Sequence, residues 1–208
     1  MTRHPRFVVF EGPEGAGKTT QIARLAARIA GEALLTREPG GTRGGEAVRA
    51  ALLNPDAAWS PLAEALLMNA ARDAHLREVV MPALDAGKTV LCDRFADSTE
   101  AYQGGGGGLP TETVNALRRW VCPVEPGLTL IFDLPVKEGL ARASARGAAD
   151  RFEAKGRAYH EAVRGRFLAI AQRPARVLID ARGTVEAVES RIQEAVSAHA
   201  PRLLTPLP

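Results

Sequence analysis

Short runs of apolar residues with high β-propensity recur along the chain, and each pair of runs is separated by a segment long enough for a helix. The first such segment has apolar residues at helical spacing over positions 22–29, and Gly31 ends it. Near-continuous hydrophobic strands that alternate with helices are typical of a parallel sheet covered by helices on both faces. The pattern therefore predicts an α/β fold with strands at residues 7–10, 33–36, 89–92, 128–132 and 175–179.

A longer helical pattern covers residues 61–84, where alanine and leucine dominate. Pro82 is expected to disturb its last turn, because proline lacks the backbone N–H and its ring clashes with the preceding turn. On this helix Met68, Arg72 and His75 stand at positions i, i+4 and i+7. This spacing places the three side chains on one face of the predicted helix.

The last part of the chain combines an apolar helical stripe with a proline-rich end. The stripe predicts a closing helix around residues 185–196, and the sequence then runs into PRLLTPLP. We expect one domain over residues 1–200, followed by a poorly ordered tail at residues 201–208.

Two glycine-rich stretches interrupt this regular pattern. EPGGTRGG at residues 38–45 follows the second predicted strand, and QGGGGGLP at residues 103–110 follows a polar segment after the third. Open α/β sheets bind their ligands at the carboxyl ends of strands, so both stretches are candidates for a binding site. Flexible surface loops are the alternative for each.

Composition excludes few classes of protein. The 208 residues are 46% hydrophobic and 25% charged, and the net charge is +3 with a pI near 9.2. This charge is too small to argue for nucleic acid, and arginines around a small polyanion explain it equally well. No apolar run approaches the ~20 residues of a membrane span, and the beginning of the chain lacks a signal peptide's apolar region. Cys92 and Cys122 lack metal-ligand spacing, so we expect buried thiols and a reducing cytoplasm.

The strongest motif is G-x-x-x-x-G-K-T, which lies between the first strand and the first helix. It begins at Gly12 and ends in Lys18 and Thr19. Backbone N–H groups of such a P-loop surround phosphates at the positive end of a helix. Lys18 would reach the β- and γ-phosphates, and the Thr19 hydroxyl would ligate Mg²⁺. A chance glycine-rich turn is the alternative, but the strand before it and the helix after it are the context that the motif requires.

The third strand ends in Asp93-Arg94. A carboxylate at the tip of a strand beside the P-loop strand is well placed to hold Mg²⁺, directly or through water. Arg94 could bind a transferring phosphoryl group, because a guanidinium offers paired donors to phosphate oxygens. The alternative is a structural Asp–Arg ion pair.

Arginines become frequent again between residues 142 and 157. Arg142 and Arg146 are four positions apart, Arg151 follows, and small residues lie between them. A mobile lid that brings positive charge over the phosphates of a bound nucleotide would have this composition. A solvated basic helix face is the alternative.

Taken together, these motifs resemble the bacterial thymidylate kinases over most of the chain. FEGPEGAGKTT resembles the P-loop of that family, TREPGGT its second-strand loop, DRFADSTEAYQG its third-strand signature and DRFE its lid. Four motifs in the same order are far more specific than a P-loop alone. The resemblance implies a P-loop NTPase-type three-layer fold with a five-stranded parallel sheet. It also implies ATP and Mg²⁺ as cofactors, thymidine monophosphate (dTMP) as the small-molecule substrate, and a homodimer.

The resemblance also implies roles for individual residues. Three positions are expected to be catalytic: Lys18, Arg94 and Arg151. The ATP side would be formed by Gly12, Gly15, Ala16, Gly17, Lys18, Thr19, Thr20, Arg142, Arg146 and Arg182, with Thr19 and Asp93 at the metal. The acceptor side would be formed by Glu14, Glu38, Pro39, Met68, Arg72, Arg94, Ser98, Thr99, Tyr102 and Gln103. Among these, Glu14 would face the 3′-hydroxyl, Arg72 the thymine edge, and Tyr102 would exclude ribose.

Two positions depart from the family pattern. The family usually has phenylalanine where Met68 stands, so a thioether replaces a ring that would stack on thymine. The family often has arginine in the glycine run, where this chain has Gly107. A kinase for another nucleoside or monophosphate therefore stays open, and a P-loop switch ATPase is the alternative from a different class.

Overall fold

The computed structural model describes residues 2–145 and 151–204. Its centre is a five-stranded sheet in the order β2-β3-β1-β4-β5, and all four neighbouring pairs are parallel. The parallel α/β sheet that the apolar pattern predicts is therefore confirmed. The strands are β1 Thr2–Glu11, β2 Ala33–Arg37, β3 Thr89–Asp93, β4 Val124–Asp133 and β5 Arg176–Asp180.

Helices cover both faces of the sheet. A π-helical turn, Leu76–Val80, joins α3 to α4, and a second one, Glu100–Gly106, continues α5 without a break. The helices are α1 Lys18–Ala26, α2 Arg43–Leu53, α3 Pro61–His75, α4 Met81–Asp85, α5 Ala96–Thr99, α6 Thr111–Val121, α7 Val136–Ser144, α8 Arg157–Ala171 and α9 Val185–His199.

The apolar residues of β1 point alternately to the two layers. Val8 and Phe10 belong to the core that α1 and α9 cover, whereas Phe7 and Val9 belong to the core under the turn Leu76–Val80 and α4. This two-residue period is the side-chain alternation of any strand. Because both faces are buried, β1 reads as an uninterrupted hydrophobic run in the sequence.

The disturbance that we predicted at Pro82 lies mainly in the turn before it. Pro82 is near the beginning of α4, where a missing N–H is tolerated, and the wider turn Leu76–Val80 immediately precedes that helix. The long helix therefore continues to Asp85.

Part of the second glycine-rich stretch is helical and closely packed, so the alternative of a flexible surface loop is wrong for it. A Cβ atom at Gly106 would overlap the ring of Tyr159, and one at Gly105 would lie 2.8 Å from Cβ of Arg166. Tyr159 and Arg166 belong to α8. Glycine is required here because it lets α8 approach the backbone of residues 100–106.

The chain remains packed beyond residue 200. Leu203 is 4% exposed within the core under α1 and α9, and Leu204 forms an isolated bridge with Ile29. The boundary that we predicted after residue 200 therefore falls inside a packed segment, whereas residues 205–208 lie outside the described part. Both thiols, Cys92 and Cys122, are buried and free, as expected. No helix in the described ranges is long and apolar enough to cross a bilayer.

Candidate functional site

The P-loop lies at the carboxyl end of the central strand. Parallel pairing aligns Phe10 of β1 with Asp93 of β3, which brings the strand-tip carboxylate beside the loop. Two glycines allow close backbone contact: a Cβ at Gly12 would lie 2.5 Å from the carbonyl oxygen of Phe132, and one at Gly15 would overlap that of Gly139 on α7. The loop geometry therefore depends on the absence of side chains at these positions.

Lys18, the first residue of α1, is directed back over the loop. Its ammonium donates to the carbonyl oxygens of Gly12 at 3.1 Å and Pro13 at 2.9 Å. Burial, and then the nearby charge of Arg94, lower the pKa of Lys18 to about 8. An anion bound in the loop would oppose that effect and favour the charged ammonium.

The two predicted metal ligands lie together. The Thr19 hydroxyl donates to Oδ2 of Asp93 at 2.8 Å. Both offer oxygen atoms, which Mg²⁺ prefers, and Mg²⁺ in nucleotide sites takes few protein ligands because phosphates and water supply the others. The donor set therefore fits the predicted ion. Thr20 follows on the exposed side of α1.

An open pocket of about 610 Å³ begins at the P-loop and extends between α3 and α5. All ten residues that we predicted on the acceptor side line it: Glu14, Glu38, Pro39, Met68, Arg72, Arg94, Ser98, Thr99, Tyr102 and Gln103. Sequence reasoning missed four other lining residues: Arg49, Leu53, Phe95 and Phe152. The sequence offered a way to predict Phe152, because this residue lies within the DRFE motif.

Arg94 and Glu14 form the end of the pocket next to the P-loop. Arg94 donates to the Gly12 carbonyl at 2.9 Å and to Oε1 of Glu14 at 2.8 Å. The Tyr102 hydroxyl donates to the same carboxylate oxygen at 2.7 Å. Burial alone would raise the pKa of Glu14, but Arg94 and Lys18 outweigh it and hold the pKa at about 2. Glu14 is therefore an ionised acceptor at neutral pH.

Arg72 is held by a buried network at the other end. Its Nε donates to Oε2 of Glu38 at 2.7 Å, and His75 meets the second oxygen of that carboxylate at 3.0 Å. Further bonds run from its guanidinium to Asn69 and Thr99 and to the carbonyl of Phe95. A guanidinium has five donors and the described residues accept from four of them, which leaves one N–H for a ligand. The predicted contact with a thymine edge would use that one.

Glu64 of α3 is a residue that sequence reasoning missed. Its buried carboxylate accepts from Gln103 at 2.9 Å, from Arg151 at 2.8 Å and from Lys155 at 3.4 Å. Arg151 also donates to the Leu52 carbonyl at 2.9 Å. The structure thus places Arg151 against α2 and α3, on the acceptor side of the site. No local pattern marks Glu64, because its partners come from distant parts of the chain.

Two of the remaining predicted ATP-side arginines, Arg142 and Arg182, lie near the end of β5. Arg142 of α7 donates to the Ala181 carbonyl at 3.2 Å, and Arg182 forms an exposed ion pair with Asp180 at 2.9 Å. Arg146 lies outside the described residues. The loop after β5 and α7 therefore adjoin, as a shared adenine contact would require.

The two departures from the family pattern have different surroundings. Met68 lines the pocket and packs against the cluster that contains Tyr102 and Phe152. At Gly107, a Cβ would lie 2.7 Å from the Gln103 carbonyl oxygen and 3.0 Å from Cβ of Pro61. The backbone here therefore leaves no room for the arginine that the family often has.

Comparison with known proteins identifies the family of this chain. The family model described as "Thymidylate kinase" matches residues 10–192. The thymidylate kinase of Caulobacter vibrioides is 53% identical over 197 residues, which cover 91% of this chain and 95% of that protein. The thymidylate kinase of Pseudomonas fluorescens is 58% identical over 182 residues, with coverages of 84% and 87%. The crystal structure of thymidylate kinase from Ehrlichia chaffeensis is similar, with a TM-score of 0.71, 30% identity and coverages of 91% and 97%. This chain therefore belongs to the thymidylate kinase family.

Proposed function

We propose that this chain transfers the γ-phosphoryl group of ATP to thymidine 5′-monophosphate, which yields thymidine diphosphate and ADP. Membership of the family supports this reaction. The observation that carries it is that Glu14 belongs both to the P-loop and to the wall of the adjoining pocket. One residue thus joins a phosphate-binding loop to an acceptor site.

Phosphoryl transfer requires mainly alignment and neutralisation of charge. The acceptor phosphate is already an anion at neutral pH, so no deprotonating base is needed. Lys18, Arg94 and Arg151 supply the positive charge. The loop itself contains no arginine, so Arg94 and the lid must provide the guanidinium groups.

The acceptor is aligned by the walls of the pocket. Glu14 receives the 3′-hydroxyl, and the ring of Tyr102 excludes a 2′-hydroxyl by shape. Arg72 donates to the thymine edge, while Met68 contacts the base through its thioether. The remaining contacts would come from Glu38, Pro39, Ser98, Thr99 and Gln103.

The nucleotide is bound by the loop and by the segments that lead from α7 and β5. Backbone N–H groups of the P-loop hold its phosphates, and Arg142, Arg146 and Arg182 contact its adenine and phosphate regions. Thr19 and Asp93 would hold Mg²⁺. The ion, when bound, neutralises charge on the β- and γ-phosphates.

We further propose that the protein acts in the cytoplasm as a homodimer. Two buried free thiols agree with a reducing compartment. Leu62 and Leu66, one turn apart on α3, are 45% and 50% exposed, and an interface between two copies would cover them.

A coupled assay of ADP release tests the proposed reaction. With ATP and Mg²⁺ present, dTMP should give rapid release, while deoxyuridylate and thymidine give much less. Preference for either competitor would identify a kinase for another acceptor. Slow hydrolysis that ignores all three acceptors would instead indicate a P-loop switch ATPase.

A further inference from the structure

Glu11 is the last residue of β1 and directly precedes the P-loop, yet it does not line the pocket. Its side chain is 0% exposed. Oxygen Oε1 accepts from the backbone N–H groups of Phe95 at 2.9 Å and Ser98 at 3.0 Å, and Oε2 accepts from the Ser98 hydroxyl at 2.5 Å. One buried carboxylate therefore binds Phe95 in the turn between β3 and α5 and, through two further bonds, Ser98 in α5.

Arg94 lies in that turn and has an unusual backbone. Its φ is +68°, a left-handed conformation that arginine adopts only where its surroundings hold it. The Arg94 N–H donates to the Phe10 carbonyl at 2.9 Å, and the next N–H, that of Phe95, donates to Glu11. Both sides of the strained residue are thus bonded to the last two residues of β1.

Burying a carboxylate costs free energy unless hydrogen bonds replace its lost hydration. Burial, followed by the nearby charge of Asp97, raises the pKa of Glu11 above its usual range. An apolar residue would avoid this cost but would leave the buried Phe95 N–H without its acceptor, and the Ser98 N–H would keep only its bond to the Phe95 carbonyl at 3.1 Å. The geometry of the turn therefore explains why a hydrogen-bond acceptor is needed at position 11.

We propose that Glu11 is a positioning residue for phosphoryl transfer, which fixes the turn so that the Arg94 guanidinium is directed at Gly12 and Glu14. The inference rests on the proposed function, because Arg94 is taken to neutralise the transferring group. A side chain that acts through Arg94 should have little effect once Arg94 is removed.

The test compares Glu11 variants in two backgrounds. Glu11→Gln keeps an oxygen that can accept from both N–H groups, whereas Glu11→Ala removes it. We expect kcat to fall about threefold in the first variant and about 30-fold or more in the second, since small misplacements of charged groups are costly. Both losses should shrink below about twofold when Arg94 is alanine. The buried hydroxyl of Thr89, at the other end of β3, has no partner in the described part of the chain, so Thr89→Val is the matched control.

Two results would overturn the inference. The first is an equal fold-loss in both backgrounds, which would indicate a structural role only. The second is full kcat in Glu11→Gln, whether or not Glu11→Ala folds. Hydrogen exchange gives a readout that does not depend on activity: the amides of Phe95 and Ser98 should exchange faster in Glu11→Ala than in the parent. If the parent enzyme ignores dTMP, the proposed function fails, while the exchange rates still test the Glu11 contacts.

Discussion

Lys18 and Arg94 both donate to the carbonyl oxygen of Gly12, so two cations meet at one point of the P-loop. Glu14 balances Arg94 directly, whereas the partners of the Lys18 ammonium among the described residues are the backbone carbonyls of Gly12 and Pro13. Like charges this close repel each other. A phosphate group placed between the two cations would be attracted by both. The site therefore favours the binding of polyanions.

Lys18→Ala should therefore reduce kcat by about 100-fold or more, as expected for loss of a charge that stabilises the transition state. The fold should persist, because no carboxylate in the described residues loses a hydrogen bond. Steady-state kinetics and thermal unfolding measure the two effects. Lys88→Ala is the matched control, since the ammonium of Lys88 lies at the surface in an exposed pair with Glu32. Near-normal turnover in Lys18→Ala would contradict the assignment.

Glu14 gives the stability a predictable dependence on pH. Its pKa falls from 4.5 to about 2 on folding, so the stability that it contributes is present above pH 4.5 and is lost as the pH falls toward 2. The difference in Tm between the parent and Glu14→Gln should therefore shrink over this window. Thermal unfolding at several pH values measures it. A difference in Tm that stayed constant with pH would be inconsistent with the lowered pKa of Glu14. As a control, Glu112→Gln, at an exposed glutamate, should have almost the same Tm as the parent.

Residues whose role depends on their neighbours in sequence could be predicted, and those that depend on distant donors could not. Glu14 and Arg94 stand inside recognisable motifs. Glu64 binds Gln103 and Arg151, which are 39 and 87 positions away. A buried carboxylate of that kind looks like any helical glutamate until the fold brings its partners together.

At the scale of elements, the helical segment from Ala96 to Gly106 has one face in the pocket and two carboxylates on its other side. Asp97 is bound by Arg118 at 2.7 Å and by Arg176 at 3.0 Å. Glu100 is bound by Arg166 at 2.7 Å and by Arg173 at 2.5 Å. Four arginines from other elements therefore fix the position of the acceptor-binding segment.

Removing these carboxylates should have unequal costs. Asp97→Asn leaves the largely buried Arg118 and Arg176 with less charge to pair with, so we expect a loss of about 3 kcal/mol or more in the free energy of unfolding. Glu100→Gln should lose about 1 kcal/mol less, because Arg166 and Arg173 are 30% and 39% exposed and can turn to water. Urea unfolding measures the free energy of unfolding of both variants. A greater loss in Glu100→Gln would show this reasoning to be wrong.

The variant Arg151→Ala tests the prediction that a lid arginine takes part in phosphoryl transfer. We predict that Arg151→Ala lowers kcat by about 100-fold at saturating ATP, because the proposed role is to stabilise charge in the transition state. Arg157→Ala is the control, since the largely exposed Arg157 pairs with Glu161 on the same helix. An unchanged kcat would leave Arg151 with its observed role alone, which is to link α2 and α3 through Leu52 and Glu64.

At the scale of the whole molecule, the apolar pattern was enough to predict the parallel sheet, but not its detailed pairing. Strand register, such as the alignment of Phe10 with Asp93, depends on packing across the sheet. The helical glycines at residues 104–106 lie in a stretch whose sequence predicts irregular structure, since glycine disfavours helix. Close packing against Tyr159 of α8 overrides that propensity.

The proposed dimer can be tested on α3. Leu66→Arg places a charge on the exposed apolar stripe, so it should convert a dimer into a monomer. Light scattering at micromolar protein measures the mass. Leu178→Arg, at a similarly exposed leucine of β5, should leave the mass unchanged. A monomeric parent protein, or a dimeric Leu66→Arg variant, would refute an interface at this stripe.

The contact between Gly15 and Gly139 limits how the lid can move. The backbone of α7 touches the P-loop with no side chain between them, and α7 leads directly into the predicted lid. Rigid backbone on both sides prevents α7 from moving closer to the loop. A closing motion of the predicted lid therefore cannot draw α7 nearer to the P-loop at this point.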